Sequence, residues 1–579
     1  MASLGTIGVQ PVRTVSSRLI PVQIREYRPS ITFSMCAILL ICSVLLGGGT
    51  RGGFLSDAIL ELIAIPVLLM SLSSLIVLPV WRNRSRSDLR RVLTFCCAIA
   101  LLPLIQLVPL PPWIWTNLPG REQVVTVFNL IGAQTLWMPI SVSPHATWLS
   151  FLALLPPMAI FCATIQLSYR ERRALSLVIL SMGVTSVFVG LTQVAEGPAS
   201  LLRFFNITNT TEAVGFFANR NHFAALLYAV LLFAAVWAIE LGFKIKSWTD
   251  LKNLEAGKVA ALLAIFLFFI IIIAGEAMAR SRAGLALTIA ALLAVFALSL
   301  KDRRTASGAK TDKIILAAII LAVVLAMQFA VYRILDRFGT DPLESARIVF
   351  AHNTITAAKA FMPFGSGSGT FVPVYQMFEQ PNDTFANIYV NHAHNDFLEL
   401  WLETGVLGPL LVCLFLIWLG FTALKVWPRS AANMSSFDCT LARAATVIIV
   451  LLLVHSVVDY PMRTEAIMAV FAVCCALLIE PVGAAEEGVK FAASLERYLV
   501  QRKASPKPGT PAVSPEPSLV SPTGPARQAE GVVPRPPQSG PRWGAEIDWP
   551  EEWRDSGEQN RQSNAKSDTS GSAKVDPEH

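Results

Sequence analysis

Residues 258–284 read KVAALLAIFLFFIIIIAGEAMARSRAG, and this stretch decides the fold. No charged residue stands between Lys258 and Glu276, and the apolar side chains leave no polar face. A helix that is hydrophobic all round is buried or spans a membrane, and a spanning helix takes about 20 apolar residues. The stretch then ends in a short turn with two arginines. It therefore predicts a membrane-spanning helix that stops at a polar border.

The rest of the chain repeats this pattern. Of its 579 residues, 54% are hydrophobic and only 15% are charged, against about a quarter charged in a typical soluble domain. Twelve apolar runs are long enough to span, and each is predicted to be a helix because backbone polar groups must be satisfied within the bilayer. The runs cover 31–49, 55–80, 92–110, 147–167, 174–194, 222–241, 258–277, 283–300, 313–335, 404–424, 441–459 and 464–480. The predicted fold class is all-α, a polytopic membrane helix bundle of about 12 transmembrane helices with one large outer loop.

The distribution of Lys and Arg gives the orientation. Segments on the side of the N-terminus carry more of these residues than the opposite segments, so both termini are predicted to be cytoplasmic. The chain is predicted to begin with an N-terminal segment at 1–30, followed by spans 1 to 9 at 31–335. The large loop at 336–403, spans 10 to 12 at 404–480 and a tail at 481–579 complete it. The tail is rich in Pro and Ser and is predicted to be mostly disordered.

Charge and cysteine content argue against other classes of protein. The net charge of +7 comes from short basic runs between apolar stretches, which indicates topology and no nucleic-acid partner. The nine cysteines include no C-x-x-C pair, and Cys439 is predicted to lie in a short basic loop. The high apolar content argues against a soluble multidomain enzyme.

Polar residues collect at the outer borders of the spans. Arg220 lies in an outer segment, against the charge rule, and either pairs with a carboxylate or lipid headgroup or binds an anionic substrate. Arg280 and Arg282 lie in the turn after the seventh span. Glu276 shares a helix face with Arg280 if the helix continues, so an ion pair accounts for Arg280 and leaves Arg282 unexplained. The planar guanidinium of Arg282 suits an oxyanion or a phosphate.

The large loop and the end of the eleventh span hold the remaining candidates. The glycine-rich run 363–371 fits a tight turn with close packing, or a backbone nest near an anion. The His392-Ala393-His394 sequence resembles part of a metal site, which would need further placed ligands. A general base is favoured, because histidine titrates near neutral pH. Asp459 is predicted to orient an arginine or to contact water at the helix end.

These motifs resemble the O-antigen ligase and polymerase superfamily of bacterial inner membranes. His394-Asn395, nine further residues and Gly405-x-x-Gly408 match the ligase signature His-Asn-x9-Gly-x-x-Gly. Five more stretches are similar to motifs of the family: Asn219–His222, Ser281–Gly284, Arg347, Pro363–Phe371 and His455–Pro461. The resemblance covers roughly 20–480 and is strongest at 360–410.

The resemblance implies a glycosyltransferase of the inner membrane. It would take a glycan from undecaprenyl diphosphate at the periplasmic face and pass it to a hydroxyl of lipid A–core, with no metal and no other cofactor. We expect His394 to be the base, and Arg220, Arg282 and Arg347 to bind the diphosphate. Asn395, Gly405, Gly408, His222 and Asp459 are expected to support them, and His392 is a weaker candidate. Membrane lipids are further partners, and the tail is a candidate contact for polysaccharide-assembly proteins.

Three alternative functions stay open. A polymerase would join undecaprenyl-linked repeat units with nearly the same machinery. A polysaccharide transporter suits twelve spans, but its substrate path usually shows ionisable groups or broken helices near the bilayer midplane. In this chain the polar residues are concentrated at one border of the spans and not near their middles, which argues against a transporter. A structural scaffold would not require outer arginines facing a histidine.

Overall fold

The computed structural model describes residues 29–77, 87–133, 135–206, 208–243, 256–303, 342–381, 389–428 and 436–480. These residues form helices joined by turns, with one isolated backbone bridge between Leu110 and Met138 and no strand among them. The all-α class is confirmed for this part of the chain. The predicted span 313–335, the N-terminal residues 1–28 and the tail 481–579 lie outside the described residues.

The helices follow the predicted apolar runs closely. The first nine are α1 Ile31–Leu46, α2 Leu55–Val77, α3 Ser87–Gln106, α4 Pro112–Trp115, α5 Glu122–Leu130, α6 Pro144–Leu152, α7 Leu155–Thr164, α8 Tyr169–Glu196 and α9 Arg220–Phe243. The others are α10 Ala256–Ala279, α11 Arg282–Arg303, α12 Pro342–Ala360, α13 Phe371–Phe378, α14 Asp396–Thr404, α15 Leu407–Val426, α16 Ser436–His455 and α17 Glu465–Leu477, with a 3-10 turn at Pro461–Arg463. Cys439 lies in the first turn of α16, so its predicted place in a loop is wrong.

Seven helices in the described part are long and apolar enough to cross a membrane. They are α2, α3, the α6–α7 pair, α8, α9, α15 and α16. The apolar stretches of α1, α10, α11 and α17 in the described residues are shorter. The chain therefore has the composition of a membrane helix bundle, and the predicted number of twelve spans is not confirmed.

Helix α9 is the centre of the bundle. Its side chains from Phe223 to Val236 are buried, and it packs against α8, α10, α11, α16 and α17. The contact with α8 is close: a Cβ added at Gly183 would lie 2.5 Å from a methyl group of Val230. A helix that is apolar all round can be buried on every side. This burial fixes the position of the first residues of α9 at one end of the bundle.

Helices α12, α13 and α14 share a second apolar core. Its buried members include Phe350, Phe361, Phe371, Tyr375 and Leu402. The rings of Phe350 and Tyr375 meet edge to face at 6.0 Å, a favourable geometry for aromatic pairs. The described part of the predicted loop 336–403 is therefore folded. It is tied to the main bundle where the Asp396 N–H donates to the carbonyl of Ser456 at 2.9 Å.

Three helices begin at the end of the bundle where α16 stops. At the start of each, a side chain accepts backbone hydrogens: Asn219 accepts from Asn221 in α9, Ser281 from Gly284 in α11, and Asn395 from Phe397 and Leu398 in α14. Such caps satisfy N–H groups that have no partner within the helix. The N-termini also carry partial positive charge. This end of the bundle therefore favours an anion before any charged side chain is counted.

Candidate active site

His394 and Asp459 form a hydrogen-bonded pair at this end. His394 Nδ1 lies 3.1 Å from Asp459 Oδ1, with His394 partly exposed and Asp459 buried. Because a carboxylate accepts, Nδ1 carries the hydrogen and the lone pair of Nε2 is available for a proton. Nε2 has no hydrogen-bond partner within the described part of the chain. The pair has the arrangement of a general base with an orienting carboxylate.

Asp459 connects this pair to the start of α9. Its second oxygen, Oδ2, accepts a hydrogen bond from the side-chain amide of Asn221. Burial opposes the charge of Asp459, but the hydrogen bond from His394, together with the charge of Arg347, holds the pKa of this carboxyl well below its ordinary value. Asp459 is therefore ionised and can orient the ring of His394.

The backbone of His394 is held in an unusual conformation. Its φ of 51° lies in the left-handed region, which is unfavourable for residues other than glycine. The two neighbouring residues are fixed by hydrogen bonds. The Ala393 N–H donates to Glu399 Oε2 at 2.9 Å, and the Asn395 side-chain amide donates to the Val457 carbonyl at 2.8 Å. These contacts determine where the ring of His394 points.

His392 carries a hydrogen on both ring nitrogens. Nδ1 lies 2.8 Å from Glu399 Oε1, and Nε2 lies 2.7 Å from the carbonyl oxygen of Thr50. Both of these atoms only accept, so the ring donates twice and is a cation. Burial alone would lower the pKa of His392, but the charge and hydrogen bond of Glu399 raise it above its ordinary value. His392 thus links the turn after α1 to α14 through a charged ring.

Arg463 binds one face of α14. Asp396, Glu399 and Glu403 lie on this face, and nitrogens of the guanidinium are 3.6, 3.5 and 2.9 Å from their carboxylate oxygens, respectively. Ser456 Oγ also donates to Asp396 at 2.7 Å. Burial raises the pKa of Asp396 to about 7 despite the opposing charge of Arg463. The cluster fastens α14 to the 3-10 turn that follows Asp459.

Tyr460 packs among three histidine rings. Its ring centroid lies 4.2 Å from that of His392, 4.8 Å from that of His222 and 4.9 Å from that of His394. His222 is fully buried, and neither of its ring nitrogens has a hydrogen-bond partner in the described residues. Tyr460 therefore brings the start of α9 and the His392–His394 turn together around one aromatic side chain.

The three predicted arginines lie on elements that meet at this end. Arg220 Nη1 is 2.9 Å from Glu212 Oε1, so the carboxylate pairing left open above is present. Arg282 begins α11, which lies against the first turn of α9, because a Cβ at Gly284 would come within 2.4 Å of Ala224. Arg347 is on α12, and its buried Nε has no hydrogen-bond partner among the described residues.

The middle part of the chain matches a known protein family. Residues 262–413 match the O-antigen ligase family. The matched range contains Arg282, Arg347 and His394, whereas Arg220 and Asp459 lie outside it. The match confirms the resemblance to the O-antigen ligase and polymerase superfamily and supports an enzyme. Together with the apolar helices, it indicates a membrane protein. The comparison with curated proteins gives no match.

Gly405, which matches the first glycine of the O-antigen ligase signature, lies where two backbones meet. Gly405 ends α14 with a φ of 58°, and a Cβ there would lie 2.0 Å from the carbonyl oxygen of Pro363. In the glycine-rich run, the N–H groups of Ser366 and Gly367 donate to the carbonyls of Leu402 and Glu403 at 3.0 and 2.9 Å. The run is therefore a tight turn against α14. These amides are already bonded, so they do not form the anion nest considered above.

The predicted ion pair between Glu276 and Arg280 is wrong. Helix α10 ends at Ala279, and Arg280 has a left-handed φ of 52°, so the helix does not continue through both residues. Glu276 Oε1 instead accepts a hydrogen bond from Thr288 at 2.8 Å. The O-antigen ligase family match includes both residues.

Three residues that pack around the candidate site were not predicted from the sequence: Asn221, Tyr460 and Arg463. Each lies within or beside a stretch that resembles a family motif, but nothing in the sequence shows which side chain it contacts. For Arg463 the sequence does offer a signal, since it is an outer arginine four residues after Asp459. Among the described residues, no three His, Cys, Asp or Glu side chains are arranged to hold a metal ion.

Proposed function

We propose that the chain is an O-antigen ligase-type glycosyltransferase, which transfers a polysaccharide from undecaprenyl diphosphate to a hydroxyl of lipid A–core. The observation that carries the proposal is the 3.1 Å contact between His394 Nδ1 and Asp459 Oδ1, at the end where α9, α11 and α14 begin. An oriented base beside an anion-favouring surface suits attack by a hydroxyl on a sugar with a diphosphate leaving group. The family match supports glycan transfer.

In the proposed step, the acceptor oxygen attacks the anomeric carbon of the donor. His394 Nε2 takes the hydroxyl proton as the new carbon–oxygen bond forms. The bond from the anomeric carbon to the diphosphate oxygen breaks, and undecaprenyl diphosphate leaves with the electron pair. Asp459 stabilises the imidazolium that results. Direct attack inverts the anomeric centre.

We assign the diphosphate to Arg347, Arg282 and Arg220. Arginine stabilises the charge that grows on the leaving group. Arg347 has the strongest support, since its buried Nε lacks a partner in the described residues. Arg220 is already paired with Glu212, so it would share its guanidinium between that carboxylate and the substrate. No step of this scheme requires a metal or another cofactor.

The proposed setting is the bacterial inner membrane with the site on the periplasmic side. The undecaprenyl chain must stay in lipid while its head reacts outside, so a site at helix ends suits it. In this orientation both termini are cytoplasmic, in agreement with the distribution of Lys and Arg. The supporting roles of Asn395, Gly405, Gly408 and His222 are then to shape and hold the turn around His394.

The test is glycan transfer in proteoliposomes that contain the full chain. The donor is an undecaprenyl-diphosphate oligosaccharide, and the acceptor is either lipid A–core or a second lipid-linked repeat unit. Wild type is compared with His394→Ala, Arg347→Ala and the control His352→Ala, which removes an exposed histidine of α12. Removal of the base should slow transfer by about 10²–10⁴-fold, and the control should not.

The outcomes separate the alternative functions. Product on lipid A–core that disappears with His394→Ala supports the ligase. A ladder of lengthened lipid-linked glycan, lost in the same variant, makes the chain a polymerase with the same site. Transfer that persists without His394 rejects the assignment of the base. Absence of transfer to both acceptors rejects the reaction proposed here.

A further inference from the structure

The segment 107–143, between α3 and α6, is almost uncharged. Its only charged residues are Arg121 and Glu122. Arg121 is buried, where its guanidinium donates to the carbonyls of Pro139 and Ile140. About a quarter of the residues in a soluble domain are charged, so a stretch of this length in water would carry several exposed charges. This composition indicates that the segment contacts an apolar surface, either a protein partner or lipid.

Large apolar side chains of this segment face outward. Six of them are between 55 and 81% exposed: Trp113, Val127, Leu130, Ile131, Leu136 and Trp137. A soluble surface rarely gathers so many large apolar groups unless they meet a partner or a membrane. Tryptophan is enriched where a protein crosses the boundary between lipid and water. The residue types thus favour lipid as the partner.

Helix α5 has three distinct faces. Val124, Val125 and Phe128 turn toward the protein, and the ring of Phe128 lies 6.0 Å from that of the buried Trp115. Val127, Leu130 and Ile131 form an exposed apolar face. Glu122, Thr126 and Asn129 form an exposed polar face. A helix that lies in a membrane interface needs this arrangement, with one side in lipid and another in water.

The exposed groups belong to an ordered fold. Trp115 Nε1 donates to the carbonyl of Leu136 at 2.8 Å. The backbones of Leu110 and Met138 exchange hydrogen bonds of 2.9 and 3.1 Å. These contacts bring Trp113 and Trp137, which flank the bonded residues, to the same small unit. The outward apolar side chains are therefore held in place.

The apolar surface of the segment continues that of a candidate span. Leu101, Ile105 and Val108 are about half exposed along the end of α3 and lead directly into the segment. We propose that residues 107–143 lie in the interface of the outer leaflet, with Trp113, Leu130, Ile131 and Trp137 in the lipid. The polar face of α5 then meets water. The partner of this surface is the bilayer itself.

The proposed lipid contact also sets the depth of the site. The Val142 N–H donates to the carbonyl of Ser366 at 2.8 Å, and Gln106 Nε2 donates to the carbonyl of Glu403 at 2.9 Å. The segment is thus bonded to the glycine-rich turn, and Gln106, the last residue of α3 directly before the segment, is bonded to the end of α14. Its position in the interface fixes how far His394 stands from the headgroups. This consequence rests on the proposed function, whereas the lipid contact does not.

The test is photolabelling in liposomes of the full chain. The probe is a phospholipid with a diazirine near its carbonyl groups, and labelled peptides are identified by mass spectrometry. Leu130→Glu with Ile131→Glu places two charges on the apolar face. The matched control, Thr126→Glu with Asn129→Glu, places the same charges on the polar face of the same helix. All four positions are exposed, so neither variant disturbs the core.

We expect strong labelling of peptides from 122–142 in wild type and in the control. Labelling should fall by about fivefold or more in the apolar-face variant. The proposal is overturned if wild-type labelling is no higher than that of peptides from the Pro- and Ser-rich stretch 505–524. An equal loss of labelling in both variants also overturns it. No donor or acceptor is needed, so failure of glycan transfer leaves this result unaffected.

Discussion

His392 and His394 are two residues apart and differ in how many of their ring nitrogens are hydrogen-bonded. His392 donates from both nitrogens, to Glu399 and to the Thr50 carbonyl, so its ring is structural and charged. His394 donates from Nδ1 to Asp459 and keeps Nε2 available. The difference comes from the partners alone, because the two residues are chemically identical. Only one histidine of the pair can therefore serve as a base.

Replacement of Asp459 by Asn should lower kcat strongly with little change in KM. The amide keeps one accepting oxygen and has an NH2 donor in place of the other, so it cannot accept from both His394 and Asn221, and the tautomer of His394 is no longer fixed. We expect a loss of about 10²–10⁴-fold in the initial rate of transfer in proteoliposomes. Asp438→Asn is the control, since Asp438 is also buried and pairs with Arg173 on α8. Equal losses in both variants would contradict the role given to Asp459.

His392 should make stability fall as the pH rises. Its raised pKa means that the folded state binds the proton more tightly, so the stabilisation is complete below the ordinary value of 6.5 and is lost above the raised one. The thermal midpoint of wild type should therefore fall as the pH rises above 6.5 and through the raised pKa of His392. His392→Gln cannot change charge, and its midpoint should depend less on pH. Parallel curves for the two proteins would reject this assignment.

The elements of the site are helix ends and turns. Helices α9, α11 and α14 begin there with capped N-termini, and α16 ends just before Asp459. Arg463 then holds three carboxylates on one face of α14. Because the helices themselves are rigid and well packed, small turns between them can hold reactive groups in fixed positions.

The turn at Gly405 should not tolerate a side chain. Alanine there would take a left-handed φ and place its Cβ against the Pro363 carbonyl. We expect a loss of stability of about 1–2 kcal/mol from the backbone conformation alone. Gly420→Ala, in the interior of α15 with no atom within 4 Å of its Cβ, should instead leave stability unchanged or raise it by up to about 1 kcal/mol. Thermal unfolding in detergent compares them, and a stable Gly405→Ala protein would refute the prediction.

At the scale of the whole molecule, the two ends of the bundle differ in which polar side chains bind the helix ends. At the end away from His394, buried Arg172 of α8 donates to the carbonyls of Ile165 and Ala476 at 2.9 and 3.1 Å. One guanidinium thus satisfies the C-terminal ends of α7 and α17. At the site end, the corresponding groups are caps, histidines and carboxylates.

The length of the apolar runs sufficed to predict the long apolar helices of the described residues, because burial in lipid or in the bundle demands continuous apolar runs. The motif at His394 and the late stretch with Asp459 could also be recognised. The contact between them could not, since it depends on how α14 and α16 pack. The partner of Glu276 could not be predicted either, because it depends on where α10 ends. Short helices such as α5 lay below the length that a spanning run requires.

The site also has an order of assembly. Thr50 is made early, Arg220 and Asn221 follow, His394 comes later, and Asp459 with Arg463 is among the last parts of the described bundle to be synthesised. A nascent chain that has inserted its first spans therefore has arginines but no oriented histidine. Under the proposed mechanism, such a chain would be inert toward a lipid-linked glycan until α16 and the residues that follow it have been made. Under the same mechanism, a chain that terminates before α16 would be an inactive protein and would not transfer a glycan to a wrong acceptor.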